Sequence, residues 1–224
     1  MKLVRNIITI DGPSGVGKGT LAFSLAEKLD WHILDSGLLY RLLGYLSLRE
    51  GLKTKKEIVQ YLNKSKIQLI TNFNEGICEI KLNEKVLGKE LRNENIASRA
   101  SELAKEKEIR NAIISIQRNA YNPKKGLIAD GRDMGTKIFP EAALKVFLQA
   151  SPEVRAARRA NQLKEKGMSV IMHDLLEQIQ QRDKEDINRK LSPLKPADDS
   201  LVIDTSNLSI KEVEEKVMEN FKKI

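Results

Sequence analysis

Residues 7–20 read IITIDGPSGVGKGT, an apolar run followed by a glycine-rich stretch that carries a lysine. Gly12, four residues, then Gly17 and Lys18 is the spacing of a phosphate-binding loop set between a buried strand and a helix. Glycines let the backbone curl until several N–H groups point into one concavity, and an anion fits there. The helix that starts near Lys18 adds the positive end of its dipole, and the ammonium adds a full charge for the terminal phosphates of a nucleotide. Leu21, Ala22, Leu25, Ala26 and Leu29 follow at helical spacing, so the context that the motif requires is present on both sides. The expected cradle is therefore Gly12, Pro13, Ser14, Gly15, Val16, Gly17, Lys18, Gly19 and Thr20. Gly19 stands where a Ser or Thr ordinarily follows the lysine, and the Thr20 hydroxyl comes one residue later.

The chain has 224 residues, which suits one domain or one domain with a small insertion. Its formal net charge of +8 favours anionic partners. No block of like charge and no interleaving of aromatic with basic residues appears, so free nucleotide phosphates are a simpler destination than nucleic acid. A single cysteine, Cys78, excludes an intramolecular disulfide and a cysteine-based zinc site, and reads as a half-buried structural thiol. His32 and His173 have no metal or nucleophile partner nearby in sequence and read as packing or surface residues. There is no signal-peptide pattern and no apolar run long enough for a bilayer, which gives the expectation of a cytoplasmic protein without membrane contact.

Further along, residues 31–34 read as a second short strand ending in Asp35, Ser36 and Gly37. Leu38, Leu39, Leu42, Leu43 and Leu46 then mark the apolar face of a helix that carries Tyr40 and Arg41. Ser36 is read as its N-cap, or as a phosphate contact together with Arg41. In residues 66–87 the period changes to two, with a turn at residues 74–76, so a small antiparallel meander is expected. Residues 96–121 read as helix in two pieces joined near residues 105–107, carrying Ser101 and Arg110. Residues 127–129 form another buried strand, followed by DGRDMG at residues 130–135, and residues 144–148 form the next. Ser151, Pro152 and Glu153 start a helix that bears Arg155, Arg158 and Arg159 on one face. A second helix from about Val170 is expected to carry Arg182, Asp186 and Arg189. A proline-containing loop, a last strand at residues 201–203 and a helix capped by Ser209 with Glu212 complete the chain. Alternating apolar strands and helices indicate an α/β fold: a parallel sheet covered on both faces, with a small antiparallel insertion. The stretches that follow the strands, including Asp35, Asp130 and Asp133, should converge on one crevice.

The stretches GPSGVGKGT, WHILDSGLLYR, GLIADGRDMGT and NRKLSPLKPADDS, in this order, resemble bacterial cytidylate kinases, and the GKGT ending is similar to that of nucleoside monophosphate kinases. The resemblance implies transfer of the γ-phosphoryl of ATP to CMP or dCMP with magnesium by a monomer. It divides one kinase domain into a core (about 1–62, 93–150 and 168–224), a nucleoside monophosphate-binding insertion (about 63–92) and a lid (about 151–167). It places Ser36, Arg41, Ser101, Arg110, Arg132, Asp133, Arg182, Asp186 and Arg189 in the acceptor site.

Physical chemistry accounts for those residue types. Phosphoryl transfer is mostly alignment of two nucleotides and neutralisation of charge. Lys18, Arg132 and Arg189, with Arg155, Arg158 and Arg159 closing over them, would surround the transferring group with guanidinium forks matched to phosphate oxygens. Cytosine offers an N4 amino donor beside N3 and O2 acceptors. Asp133 or Ser101 would accept from N4, Arg110 would donate to N3 or O2, and Asp186 would accept a sugar hydroxyl. Asp130 or Asp35 would orient a magnesium-bound water. The competing readings are a phosphate-loop kinase of another monophosphate or small metabolite, and a nucleotide-switch or nucleic-acid-binding protein, for which the DGRDMG stretch is unnecessary.

Overall fold

The computed structural model of the protein describes residues 4–165 and 167–224. Met1, Lys2 and Leu3 of the expected core and Lys166 of the expected lid lie outside the described residues. β1 (Val4–Asp11) carries Ile7, Ile8 and Ile10, each at most 1% exposed although they alternate in direction. A strand buried on both faces belongs in the middle of a parallel sheet. It lies there: the five-stranded sheet has the order β2 (His32–Asp35), β6 (Leu127–Gly131), β1, β7 (Ala142–Gln149), β8 (Leu201–Asp204), and all its pairs are parallel. The chain leaves β1 for the β2 edge and fills the other side only later. A crevice therefore opens at the carboxyl end of β1, where ligands of such sheets gather.

The helices are α1 (Lys18–Leu29), α2 (Ser36–Arg49), α3 (Lys55–Lys64), α4 (Glu94–Leu103), α5 (Lys107–Asn119), α6 (Pro152–Glu165), α7 (Met172–Asn188) and α8 (Ile210–Phe221). Trp31 seats α8 through an edge-on contact with Phe221, ring centroids 5.4 Å apart. α4 and α5 are the expected two-piece helix. Ser209 and Glu212 form the expected capping box of α8, and the Ser151 hydroxyl accepts from the Val154 N–H at 3.3 Å at the start of α6.

The expected meander is a separate antiparallel sheet, β3 (Ile67–Asn72), β4 (Ile77–Leu82) and β5 (Lys85–Leu87), in that order. Along β4 the buried positions are Cys78, Ile80 and Leu82, one face of the strand. The cysteine is fully buried rather than half-buried, and burial pushes its thiol pKa well up, so it is an inert core residue.

Two local readings are corrected. Asp35, not Ser36, caps α2: its Oδ1 accepts from the Leu38 N–H at 2.9 Å, and Ser36 is the first helical residue. The helix expected from about Val170 starts at Met172 and ends at Asn188, so Arg189 has extended backbone and sits just past the helix rather than on its face. The turn after β6 is a short π-helix, Met134–Ile138, which the periodicity did not indicate.

Close packing of α2 on α4 positions the Arg41-bearing helix. A Cβ added at Gly44 would lie 2.5 Å from the Ile96 carbonyl oxygen and 3.2 Å from the Ala100 nitrogen. Backbone atoms do not yield to such a contact, so Gly44→Ala is expected to cost about 1–3 kcal/mol. A urea titration checks this. An unchanged midpoint would show that α2 and α4 do not cross this closely.

Candidate active site

The phosphate loop takes its shape from left-handed backbone at Gly15 (φ 83°) and Gly17 (φ 95°), the latter being the N-cap of α1. A Cβ at Gly12 would lie 2.2 Å from the Leu148 carbonyl oxygen, so the loop can hug β7 only with glycine there. Lys18 is 8% exposed, and its Nζ donates to the Pro13 carbonyl at 2.8 Å, curling over the loop. Burial, reinforced by the Arg132 charge, pushes its pKa down to about 7 against the pull of Asp130 and Asp11. Thr20 is exposed at the first turn of α1.

Three carboxylates stand at the strand ends beside this lysine. Asp11 accepts from the N–H groups of Met134 (2.9 Å) and Gly135 (2.8 Å), which ties the end of β1 to the turn after β6. Burial outweighs those two bonds and pushes its pKa up to about 6. Asp130 and Asp35 are register partners on adjacent strands. Burial and the neighbouring Asp35 charge raise Asp130 to about 7, although Lys18 works against them. Asp130 Oδ2 also lies 3.8 Å from where a Cβ of Gly19 would be, directly against the start of α1. Among the described residues no group of three His, Cys, Asp or Glu side chains converges to cage a metal. Magnesium suits a sparser donor set, one or two carboxylates with phosphates and waters. Asp130 fits, and Asp35 has one oxygen left after capping α2.

The DGRDMG turn sends two side chains in different directions. Arg132 Nε donates to Asp186 Oδ2 at 2.8 Å, and Arg189 Nη1 lies 3.5 Å from the other Asp186 oxygen. Burial pushes the Asp186 carboxyl up, but Arg132, Arg189 and Arg182 together hold it below the usual carboxylate range. Arg189 also donates through Nε to the Ser192 carbonyl, while its Nη2 is buried without a partner among the described residues. Asp133 is 3% exposed and forms an ion pair with Arg110, which is 7% exposed. Arg110 also donates to the Ala104 carbonyl at 3.2 Å and stacks 5.7 Å from the centre of the Tyr40 ring.

The remaining expected residues are more dispersed. Arg41 donates to the Leu91 carbonyl at 3.1 Å, which joins α2 to the short 3-10 turn Lys89–Arg92. Ser101 spends its hydroxyl hydrogen on the Ala97 carbonyl at 3.1 Å, leaving lone pairs free to accept. Arg182 is exposed on α7. The three arginines of α6 do not converge. Arg155 is 2% exposed beneath the phosphate loop, donating to Ser14 O (3.1 Å) and Ala150 O (3.0 Å) and pairing with Asp183 of α7. Arg158 donates to the Thr205 carbonyl at 2.6 Å and to its hydroxyl at 3.2 Å, and Arg159 pairs with Glu94 at the start of α4. Shared helical face did not mean shared target.

Sequence reasoning missed four residues that build the site: Asp11, Tyr40, Gln117 and Asp183. Tyr40 was seen only as part of the α2 stretch, and Asp11 only as the start of the loop. Gln117 lies seven residues after Arg110, so helical spacing alone puts it on the same face. Nothing local marks Asp183, because its partner is 28 residues away.

The family model described as cytidylate kinase matches residues 8–223. A protein of Salmonella arizonae named cytidylate kinase is 44% identical over 98% of this chain and 96% of its own length. One of Shewanella denitrificans with the same name is 44% identical over 96% of each chain. A solved structure of an uncharacterized protein from Eubacterium ventriosum shares the fold, with TM-score 0.52 and 13% identity over 98% of this chain and 99% of that one. The phosphate loop, the DGRDMG turn and the buried Arg110–Asp133 pair thus sit in a chain that belongs to the cytidylate kinase family.

Proposed function

We propose that this protein transfers the γ-phosphoryl group of ATP to CMP or dCMP, giving ADP and CDP or dCDP, as a cytoplasmic monomer. The observation that carries the reading is that the phosphate loop and the Arg110–Asp133 pair open onto neighbouring strand ends of one crevice. The relatives' printed name supports the choice of base.

In this reading the loop N–H groups and Lys18 hold the donor phosphates. Ser36, Arg41, Arg132, Arg182 and Arg189 hold the acceptor phosphate, the partnerless Nη2 of Arg189 being the donor left over for it. An acceptor phosphate oxygen attacks the γ-phosphorus as the bond to the β-phosphate oxygen breaks, and ADP leaves. The side chains do no covalent work. They align the nucleotides and neutralise charge that would otherwise keep two anions apart. Asp130 and Asp35 would hold magnesium through its waters, and the ion would supply further positive charge at the donor phosphates. Arg155 contributes by fixing the Ser14 carbonyl beneath the loop. Arg159, half-buried and paired among the described residues with an exposed glutamate, is free to trade that partner for a phosphate when the lid closes. The division into core, insertion (63–92) and lid (151–167) belongs to the same proposal.

Base selection follows from the buried pair. Asp133 gives one oxygen to Arg110 and keeps the other to accept from cytosine N4. Arg110 retains donors beyond those spent on Asp133 and Ala104 for N3 or O2. Uracil presents O4 to that carboxylate oxygen and leaves both unpaired.

ADP formation from ATP and magnesium against CMP, dCMP, UMP, AMP and GMP tests the proposal. Turnover with the cytidine nucleotides is expected at roughly 100-fold or more over the others in kcat/KM. Equal or faster turnover of another monophosphate, or none with any, would contradict it. Asp133→Asn, which places an amide at the carboxylate's position, is expected to shrink the CMP to UMP ratio by about 10- to 100-fold. An unchanged ratio in a folded variant would remove Asp133 from base selection.

A further inference from the structure

One face of α5 carries Ile109, Arg110, Ile113 and Gln117, all buried. Arg110 and Gln117 are seven residues apart, two helical turns, and so point the same way. They meet α2 as two rungs. Arg110 lies over the Tyr40 ring, and Gln117 Nε2 donates to the Ser36 hydroxyl at 2.8 Å across 81 residues of sequence. Gln117 is 1% exposed and Ser36 is 3% exposed, so water does not compete for this bond.

A hydroxyl has one hydrogen to donate and two lone pairs. With the Gln117 N–H on one lone pair, the Ser36 hydrogen is turned away from α5, and among the described residues no protein group accepts it. Ser36 opens α2 directly after β2, beside the strand end that carries Asp35, and Arg41 follows on the same helix, so the hydrogen is left for a ligand at that end of the sheet. The amide is an expensive way to fill an apolar helix face. Its Oε1 is buried without a partner among the described residues, and a leucine would pack there without that cost. The N–H held against Ser36 is what the amide supplies and leucine lacks.

We propose that Gln117 is a positioning residue for the phosphoryl acceptor: it orients the Ser36 hydroxyl as a hydrogen-bond donor to the acceptor phosphate. The inference rests on the assignment of Ser36 to the acceptor site in the proposed reaction. It makes Gln117 act through Ser36 alone, without touching either nucleotide.

A double-mutant cycle tests it with Ser36→Ala, Gln117→Met and the double variant, reading KM for CMP and for ATP separately. Gln117→Met keeps length and flexibility while removing the N–H. It is expected to raise KM for CMP by about 3- to 10-fold and leave KM for ATP unchanged, and the double variant is expected to match Ser36→Ala alone. Gln117→Leu replaces the Met variant if thermal melting shows the latter unfolded. Multiplying effects in the double variant, or equal loss for both nucleotides, would overturn the proposal and make Gln117 a packing residue. Wild-type protein without CMP turnover would contradict the substrate reading, whereas wild-type turnover with unchanged CMP KM in the Gln117 variant contradicts only the role of Gln117.

Discussion

The carboxylate of Asp11, bonded to the backbone N–H groups of Met134 and Gly135, is the constraint from which the site is built. It closes off β1 immediately before the phosphate loop and at the same time sets the path of the chain leaving β6. Those two segments are more than a hundred residues apart in sequence and neighbours in the sheet. With the turn fixed, Arg132 leaves it toward Asp186 and Asp133 leaves it toward Arg110. Both halves of the site depend on one buried acid that touches neither nucleotide in the proposed reaction.

The second constraint is charge density. Lys18 is buried beside Arg132, and burial together with that like charge holds its pKa far below that of an ordinary lysine. Asp130 suffers the mirror-image effect, raised by burial and by Asp35. A site that gathers such groups is unfavourable until a ligand supplies compensating charge, as two nucleotides with magnesium would in the proposed reaction. The ion pairs elsewhere divide in function. Asp186 keeps Arg132 and Arg189 in place, and Arg155 with Asp183 ties the phosphate loop to α7.

Much of this was legible in the residues themselves. The apolar run before GPSGVGKGT, the period-two stretch of residues 66–87 and the helix start at Ser151 each carry a local signal, and each formed as that signal indicates. The destinations of side chains were harder. Periodicity placed Arg155, Arg158 and Arg159 on one face but said nothing of what that face meets, which is a loop backbone, the Thr205 segment and Glu94. Ser36 looked like a cap because serine caps well, yet Asp35 one residue earlier caps better placed, since β2 ends there. Helical spacing puts Gln117 on the same face as Arg110, but its role was illegible because it gains meaning only from Ser36, which the fold brings to it.

Lys18 stands in the loop that the Asp11 turn completes, and burial together with the Arg132 charge pushes its pKa down to about 7. Phosphate charge beside such a lysine draws the pKa back toward its ordinary value, so binding at pH 8 is expected to take up protons, up to ~1 from this group. Calorimetric titration of magnesium–ATP into the protein at pH 8, in two buffers of different ionisation enthalpy, reads that number directly. The account predicts net uptake approaching ~1 proton per nucleotide bound; binding with no proton exchange, or with release, would contradict it.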